Sequence, residues 1–278
     1  MAASTTTTLD DLFSNIIKEA IFVSQETSLV RNLVTTYDIS GEAGKVVQVP
    51  VYSEPSAAAL TEGTDMSSTA VSTTSVSITT AEAGVQALLT DMAAKSAMGD
   101  VAGDLGRILG EAVAKKMDQD LIGLFSGFST GQGAAAQEIT VADIFKAAAV
   151  LRANNAGGTP SAVIHPYQAY QLKSNLTNAF ANPNGGELQN QAMRNGYVGT
   201  IAGVNIFESA NIAIDGSGDA IGALFTPAAL GLAVKWDINI EPQRDASLRG
   251  WELNATASYG VGELKDSYGQ SLTFDASL

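Results

Sequence analysis

The sequence predicts an α+β protein, and three observations predict it. Residues 93–126 carry apolar side chains at spacings of three and four, the mark of a long amphipathic helix. The stretches "KVVQVPVY" and "SVSIT" alternate at strand period. From about residue 139 to 235, helical and strand patterns follow one another, as in a mixed α/β domain. The 278 residues, 45% of them apolar, suffice to bury one large core or two modest ones.

Taken in order, the chain opens with Leu9, Leu12, Phe13, Ile16, Ile17, Ala20 and Ile21 on one helical face. Thr8 is a plausible N-cap, and Asp10 and Asp11 suit the positive end of the helix dipole. The segment up to Gly44 has no continuing period and reads as an extended arm. In the next stretch Val47, Val49 and Val51 alternate, then Val76 and Ile78. About twenty small residues separate the two runs, a length unusual for a loop inside a compact domain. Between Val46 and Thr90 stand Glu54, Glu62, Asp65 and Glu82, with no Lys or Arg. A long acidic flap of this kind needs a partner on which to order itself.

The long helix follows, with Met98, Val101, Leu105, Leu109, Val113, Met117, Leu121 and Phe125 holding its period. Glu111 and Lys115 are spaced for an i,i+4 ion pair. Gly99, Gly103, Gly106 and Gly110 lie inside it, each costing about 1 kcal/mol relative to Ala. Glycines at that spacing permit close approach, so another molecule is expected across this helix. "TVADIFKAAAVLRAN" then starts a helix with a Thr cap, "SAVI" is a strand, and "PYQAYQLKSNL" is a helix. "GTIAGVNIFES", "AIGALFT" and "LGLAVKWDINI" read as strands, and "NPNGGE" and "DGSGD" as turns. Trp236, Ile238 and Ile240, then Trp251, Leu253 and Ala255, return to strand period, with Arg244 and Arg249 in the turn between them.

Composition removes several function classes. Lys and Arg number 15 against 29 acids, a formal net charge of −14, which disfavours direct recognition of nucleic acid. There is no cysteine, so disulfides and thiolate metal sites are excluded. The first residues lack the basic and apolar regions of a signal peptide, and no run approaches the ~20 apolar residues of a membrane span. No metal or cofactor is expected.

The chemical motifs fail on context. "GFSTG" fits the nucleophile elbow around Ser129, but a helix precedes it where a strand is required. The only histidine, His165, lies between the strand "SAVI" and Pro166, a residue favoured at the first position of a helix. It is expected to cap or pack that corner rather than serve Ser129 as a base in a hydrolase. "DGSGD" offers Asp215, Ser217 and Asp219 but lacks the glycine and glutamate of a calcium loop.

An N-terminal arm, a long β flap, a long helix, an α/β block and terminal strands, in that order, resemble the major capsid proteins of tailed bacteriophages. The stretches "ALTEGT", "GEAVAKKMDQDLIG", "AVIHPYQAYQL", "GTIAGVNIFES" and "ASYGVGELKDSYG" are similar to that family as well. The resemblance implies the Hong Kong 97-type capsid fold: residues 1–44 as N-arm, 45–90 as E-loop, 91–138 with 236–278 as P-domain, and 139–235 as A-domain. It implies a shell of pentamers and hexamers around a double-stranded DNA genome, and so a place in the virion after synthesis in the bacterial cytoplasm. Expected partners are further copies of the chain, a separate scaffolding protein or none, a portal and cement proteins, with no sequence-specific contact to the DNA. The acidic flap (Glu54, Glu62, Asp65) would lie on a neighbour's P-domain, near Arg107, Lys115, Lys116, Arg244 and Arg249. Lys45 is the only flap lysine and sits at its base, so the shell is expected to lack covalent Lys–Asn cross-links. An encapsulin, a cellular shell of the same fold, is the alternative within this architecture.

Overall fold

A computed structural model of the chain describes residues 28–53, 55–63, 65, 66, 68, 70–96, 101–179 and 200–277. The expected N-terminal helix over Leu9 to Ile21, and Glu54, lie outside the described residues.

The chain enters the body through a 3-10 turn, Val30–Leu33, and strand β1, Thr35–Asp38. Strands β2 (Val46–Tyr52) and β3 (Thr73–Thr79) form the expected antiparallel hairpin, a two-stranded sheet of its own. Strand β4 (Ala81–Thr90) follows, then helix α1 (Asp91–Ser96) and the long helix α2 (Val101–Gly123). After a 3-10 turn at Leu124–Gly127 come β5 (Gly131–Gln132), α3 (Val141–Ala153), β6 (Ser161–Ile164) and α4 (Pro166–Ala179). The remainder is β7 (Thr200–Ile201), β8 (Val204–Glu208), β9 (Asp219–Phe225), β10 (Leu230–Asp245), β11 (Gly250–Glu263) and β12 (Gly269–Asp275).

Two larger sheets organise the body. The first has the order β1-β10-β11-β4, with β1 parallel to β10 and the other pairs antiparallel. Helix α2 covers one face of it: Leu109, Val113, Met117 and Leu121 pack with Ile238, Ile240, Leu253, Ala255 and Ala257. The second sheet has the order β5-β12-β9-β6-β8-β7. Helices α3 and α4 bury Ile144, Ala147, Leu151 and Leu172 against Ala162, Ile164, Leu224 and Phe274 of that sheet. Phe125 at the end of the long helix meets Phe225 of β9, ring centroids 5.5 Å apart, and joins the two layers.

Several expectations change. Residues 28–44 do not form a free arm throughout, because β1 pairs with β10 as a parallel edge strand too short to show a period. The long helix was expected over 93–126; its described parts are Asp91–Ser96 and Val101–Gly123. Gly106 and Gly110 are buried on the same helical face as Leu109 and Val113. That face packs on the chain's own sheet, so these glycines admit an intramolecular partner rather than another molecule. Glu111 pairs back to Arg107 at 3.6 Å instead of forward to Lys115. The sheets also cut across the expected ranges: β4 (81–90) joins β11, the long β10 spans residue 235, and β5 and β12 join the α/β sheet.

Glycines do admit a close neighbour elsewhere. Gly260 and Gly262 alternate on β11, and Gly231 lies beside them on β10. A methyl group at Gly262 would come within 2.8 Å of Ile78 Cγ1, and one at Gly231 within 3.0 Å of Ile78 Cδ1. At Gly260 it would come within 2.3 Å of the Thr79 carbonyl oxygen. Three missing side chains thus make a notch that seats Ile78, only 1% exposed, at the root of the flap. Ile78→Ala empties the notch and is expected to cost about 2–5 kcal/mol. A urea midpoint equal to that of the wild type would contradict this.

Candidate assembly surface

The flap is anchored at its root and free beyond it. Thr80 donates its N–H to the Lys45 carbonyl at 2.8 Å and its hydroxyl to the same oxygen at 3.1 Å. Lys235 Nζ donates to the carbonyls of Gly44 and Glu42. Farther out, Val47, Val49, Val51 and Val76 line one face, half-buried, opposite a face of Gln48, Pro50, Ser75 and Ser77. Among the described residues of the hairpin, nothing forms a second layer over the valines. Between the strands, Leu60 is 68% exposed and Met66 74%. Tyr52 and Val71 are exposed as well.

Glu62 and Asp65 stand exposed on this flap. Among the described residues no ion pair joins them to Arg107, Lys115, Lys116, Arg244 or Arg249. Three of those cations are already engaged within the chain. Arg107 pairs with Glu111, and Lys116 pairs with Asp120 at 2.5 Å. Arg244 donates two hydrogen bonds to Asp91, at 2.6 and 2.7 Å, and lies 5.5 Å from the Trp251 ring centre. Lys115 and Arg249 have no ion-pair partner among the described residues. Arg249 takes a left-handed backbone, φ 50°, while its carbonyl accepts the Asp91 N–H at 2.9 Å. The hairpin turn is therefore held rigid by Asp91, with exposed Leu248 and Met92 close in sequence to its anchors.

Asp118 was not foreseen as a structural anchor. It accepts hydrogen bonds from the Ser28 hydroxyl (2.9 Å) and the N–H groups of Leu29 (3.0 Å) and Val30 (3.3 Å). Burial pushes its carboxyl above the ordinary range against the pull of those donors. Arg31 adds a forked pair to Asp237, at 3.2 and 2.8 Å. The signal in the sequence was an aspartate one position beyond Met117, on the buried side of the long helix.

The positions weighed for chemistry hold structure. Ser129 donates its hydroxyl to Asp266, which also accepts its N–H at 2.8 Å. His165 Nδ1 accepts the Tyr167 N–H at 3.2 Å, while Gln168 Oε1 accepts the His165 N–H. The histidine therefore caps α4, as its place before Pro166 suggested. Asp215 Oδ1 accepts from the N–H groups of Ser217 (2.8 Å) and Asp219 (2.9 Å), making a turn. Among the described residues there is no group of three or more side chains suited to a metal, and no helix long and apolar enough to cross a membrane.

The profile of a family described as "Phage capsid protein" matches residues 73–269, more than half of the chain. The chain belongs to the phage capsid protein family. Among solved structures it is similar to one from Mycobacterium phage Che8, with 21% identity, a TM-score of 0.71, and 88% of this chain and 90% of that one covered. The capsid structure of cyanophage P-SCSP1u gives 20% identity, a TM-score of 0.71, and coverage of 90% and 89%. The head structure of Helicobacter pylori bacteriophage KHP40 gives 13% identity, a TM-score of 0.72, and coverage of 90% and 92%. No curated protein matches. The fold is the capsid fold of tailed phages, the Hong Kong 97-type that the sequence implied. This capsid protein is a structural component of a virion shell that assembles from many subunits, not an enzyme.

Capping by His165 makes a pH prediction. Burial lowers its pKa from the ordinary 6.5. As pH falls through 6.5 the unfolded histidine takes up a proton while the folded one stays neutral. Stability contributed by this group is thus full above 6.5 and is lost as pH falls through the folded value. Melting temperature should fall more steeply on acidification for the wild type than for His165→Asn, which keeps a capping acceptor. Parallel curves would contradict the assignment.

Proposed function

We propose that this protein is the major capsid protein of a tailed phage, assembling as pentamers and hexamers into an icosahedral shell around double-stranded DNA. The observation that carries the reading is the flap: a rooted hairpin whose valine face is only half-buried among the described residues. On this reading α2 and the four-stranded sheet form the P-domain and the six-stranded sheet with α3 and α4 the A-domain. Residues 1–44 then begin as the N-arm, and the E-loop lies within 45–90.

The flap of one copy lies on the P-domain of the next, where Glu62, Asp65 and Glu54 approach Lys115 and Arg249. Arg107, Lys116 and Arg244 are each already paired within the chain and would join the contact only by exchanging partners. Exposed pairs are individually weak, but repeated around a shell they fix register and exclude wrong contacts. The net charge of −14 suits a container, since walls that gripped phosphates would hinder packing and release of DNA. A separate scaffolding protein and a portal complete the particle, which forms in the host cytoplasm.

Negative-stain microscopy of the purified chain should show closed particles, and Glu62→Lys should reduce their yield with unchanged circular dichroism. Normal particles from Glu62→Lys would remove the acidic contact. A wild-type chain that stays monomeric at high concentration would remove the function.

A further inference from the structure

Among the described residues, the outer edge of β3 in the flap and the outer edge of β4 in the body pair with no strand. The hydrogen bonds fix which groups they present. Thr80 N–H to Lys45 and Ser53 N–H to Ser72 bracket the flap ladder in the register that pairs Val49 with Val76. Val47, Val49 and Val51 therefore turn their backbone groups inward, and Val46, Gln48, Pro50 and Tyr52 turn theirs outward. On β3 the outward residues are Thr73, Ser75, Ser77 and Thr79. Pro50 removes a donor from the β2 edge, which guards it, whereas the β3 edge is complete.

The same reasoning applies to β4. The Asp91 N–H bonded to the Arg249 carbonyl continues the β4–β11 ladder, so odd residues of β4 point toward β11. Glu82, Gly84, Gln86 and Leu88 present their N–H and C=O groups at the edge. This strand of 10 residues has no Lys, no Pro and a single charge, Glu82, so none of the usual devices against edge pairing protects it.

We propose that β3 of one copy adds as a strand to the outer edge of β4 in a second copy, an inference that rests on the self-assembly reading above. One residue, Thr80, separates β3 from β4 within a chain, so a flap cannot fold back to pair with its own β4. The β3 strand carries no charge, and no like charges oppose one another in the pairing. A two-stranded ribbon is marginal alone, and a third strand completes it. The addition also lets Val76 continue the side of β4 that carries Val85, Ala87 and Leu89. Main-chain bonding then supplies the attachment, and the charged pairs set its register.

Proline tests the edges selectively, because at an outward position it removes only the donor that would reach the second copy. Ser77→Pro and Gln86→Pro should leave the subunit folded by circular dichroism and abolish particles, while Gln48→Pro, on the edge already broken by Pro50, should assemble. Wild-type yields from Ser77→Pro and Gln86→Pro would overturn the proposal. The chain has no cysteine, which allows a second measurement on intact particles should a proline variant not fold. Ser75→Cys or Ser77→Cys combined with Gln86→Cys should give reducible multimers on oxidation. Multimers only from Gln48→Cys with Gln86→Cys, or none from any pair, would overturn the pairing while leaving assembly itself standing. A wild-type chain that makes no particles would sink both.

Discussion

A two-stranded ribbon with valines along one face cannot cover that face by itself, and the architecture follows from this constraint. Among the described residues the body is layered on itself: helix α2 covers one sheet, α3 and α4 cover the other, and Phe125 with Phe225 joins the layers. The flap is rooted in this body, and beyond the root its valines are only half-buried among the described residues. Its root is fixed with care, through Ile78 in a notch of three glycines and through Thr80 and Lys235 holding the turn at Gly44 and Lys45. A free loop would need no such seating. A projecting arm that must arrive at a neighbour in one orientation does.

The electrostatics fit the same division. Several charges of the body are paired internally, with Arg31 on Asp237, Arg244 on Asp91 and Lys173 on Glu208. The flap, by contrast, holds acids and no bases beyond Lys45 at its base, so its outer charges call for neutralisation from outside. Apolar face and one-signed charge thus make the same demand of the surroundings. On the proposed reading, weak exposed contacts suffice because assembly repeats them, each subunit giving one flap and receiving another.

Much of this was legible in the sequence. Strand alternation in Val47, Val49, Val51, Val76 and Ile78 located the hairpin, and Thr140 before an apolar period located a helix whose capping box the structure contains. His165 before Pro166 announced a cap. What escaped depended on long-range packing. Strand β1 has four residues, too few for a period, and is a strand only because β10 lies beside it. The helix glycines Gly106 and Gly110 carry no direction in the sequence, and tertiary packing turned them inward. The notch glycines Gly260 and Gly262 were spaced by two, which at strand period puts both on one face, but nothing local says that Ile78 arrives there. Of the assembly residues, the cations were visible as types, while their partners Glu111, Asp120 and Asp91 depended on rotamer choice and strand register.

Amide hydrogen exchange, followed by mass spectrometry on dissociated subunits and on assembled particles, tests the central claim most directly. The outward and inward amides of 46–49, 51, 52 and 73–77 should exchange quickly in the free subunit and about tenfold or more slowly in the particle, while those of β10 and β11 stay protected in both. Equal protection of the flap in the free subunit would mean that its own chain covers it, and equal exposure in the particle would mean that no neighbour does. Either result would contradict the account.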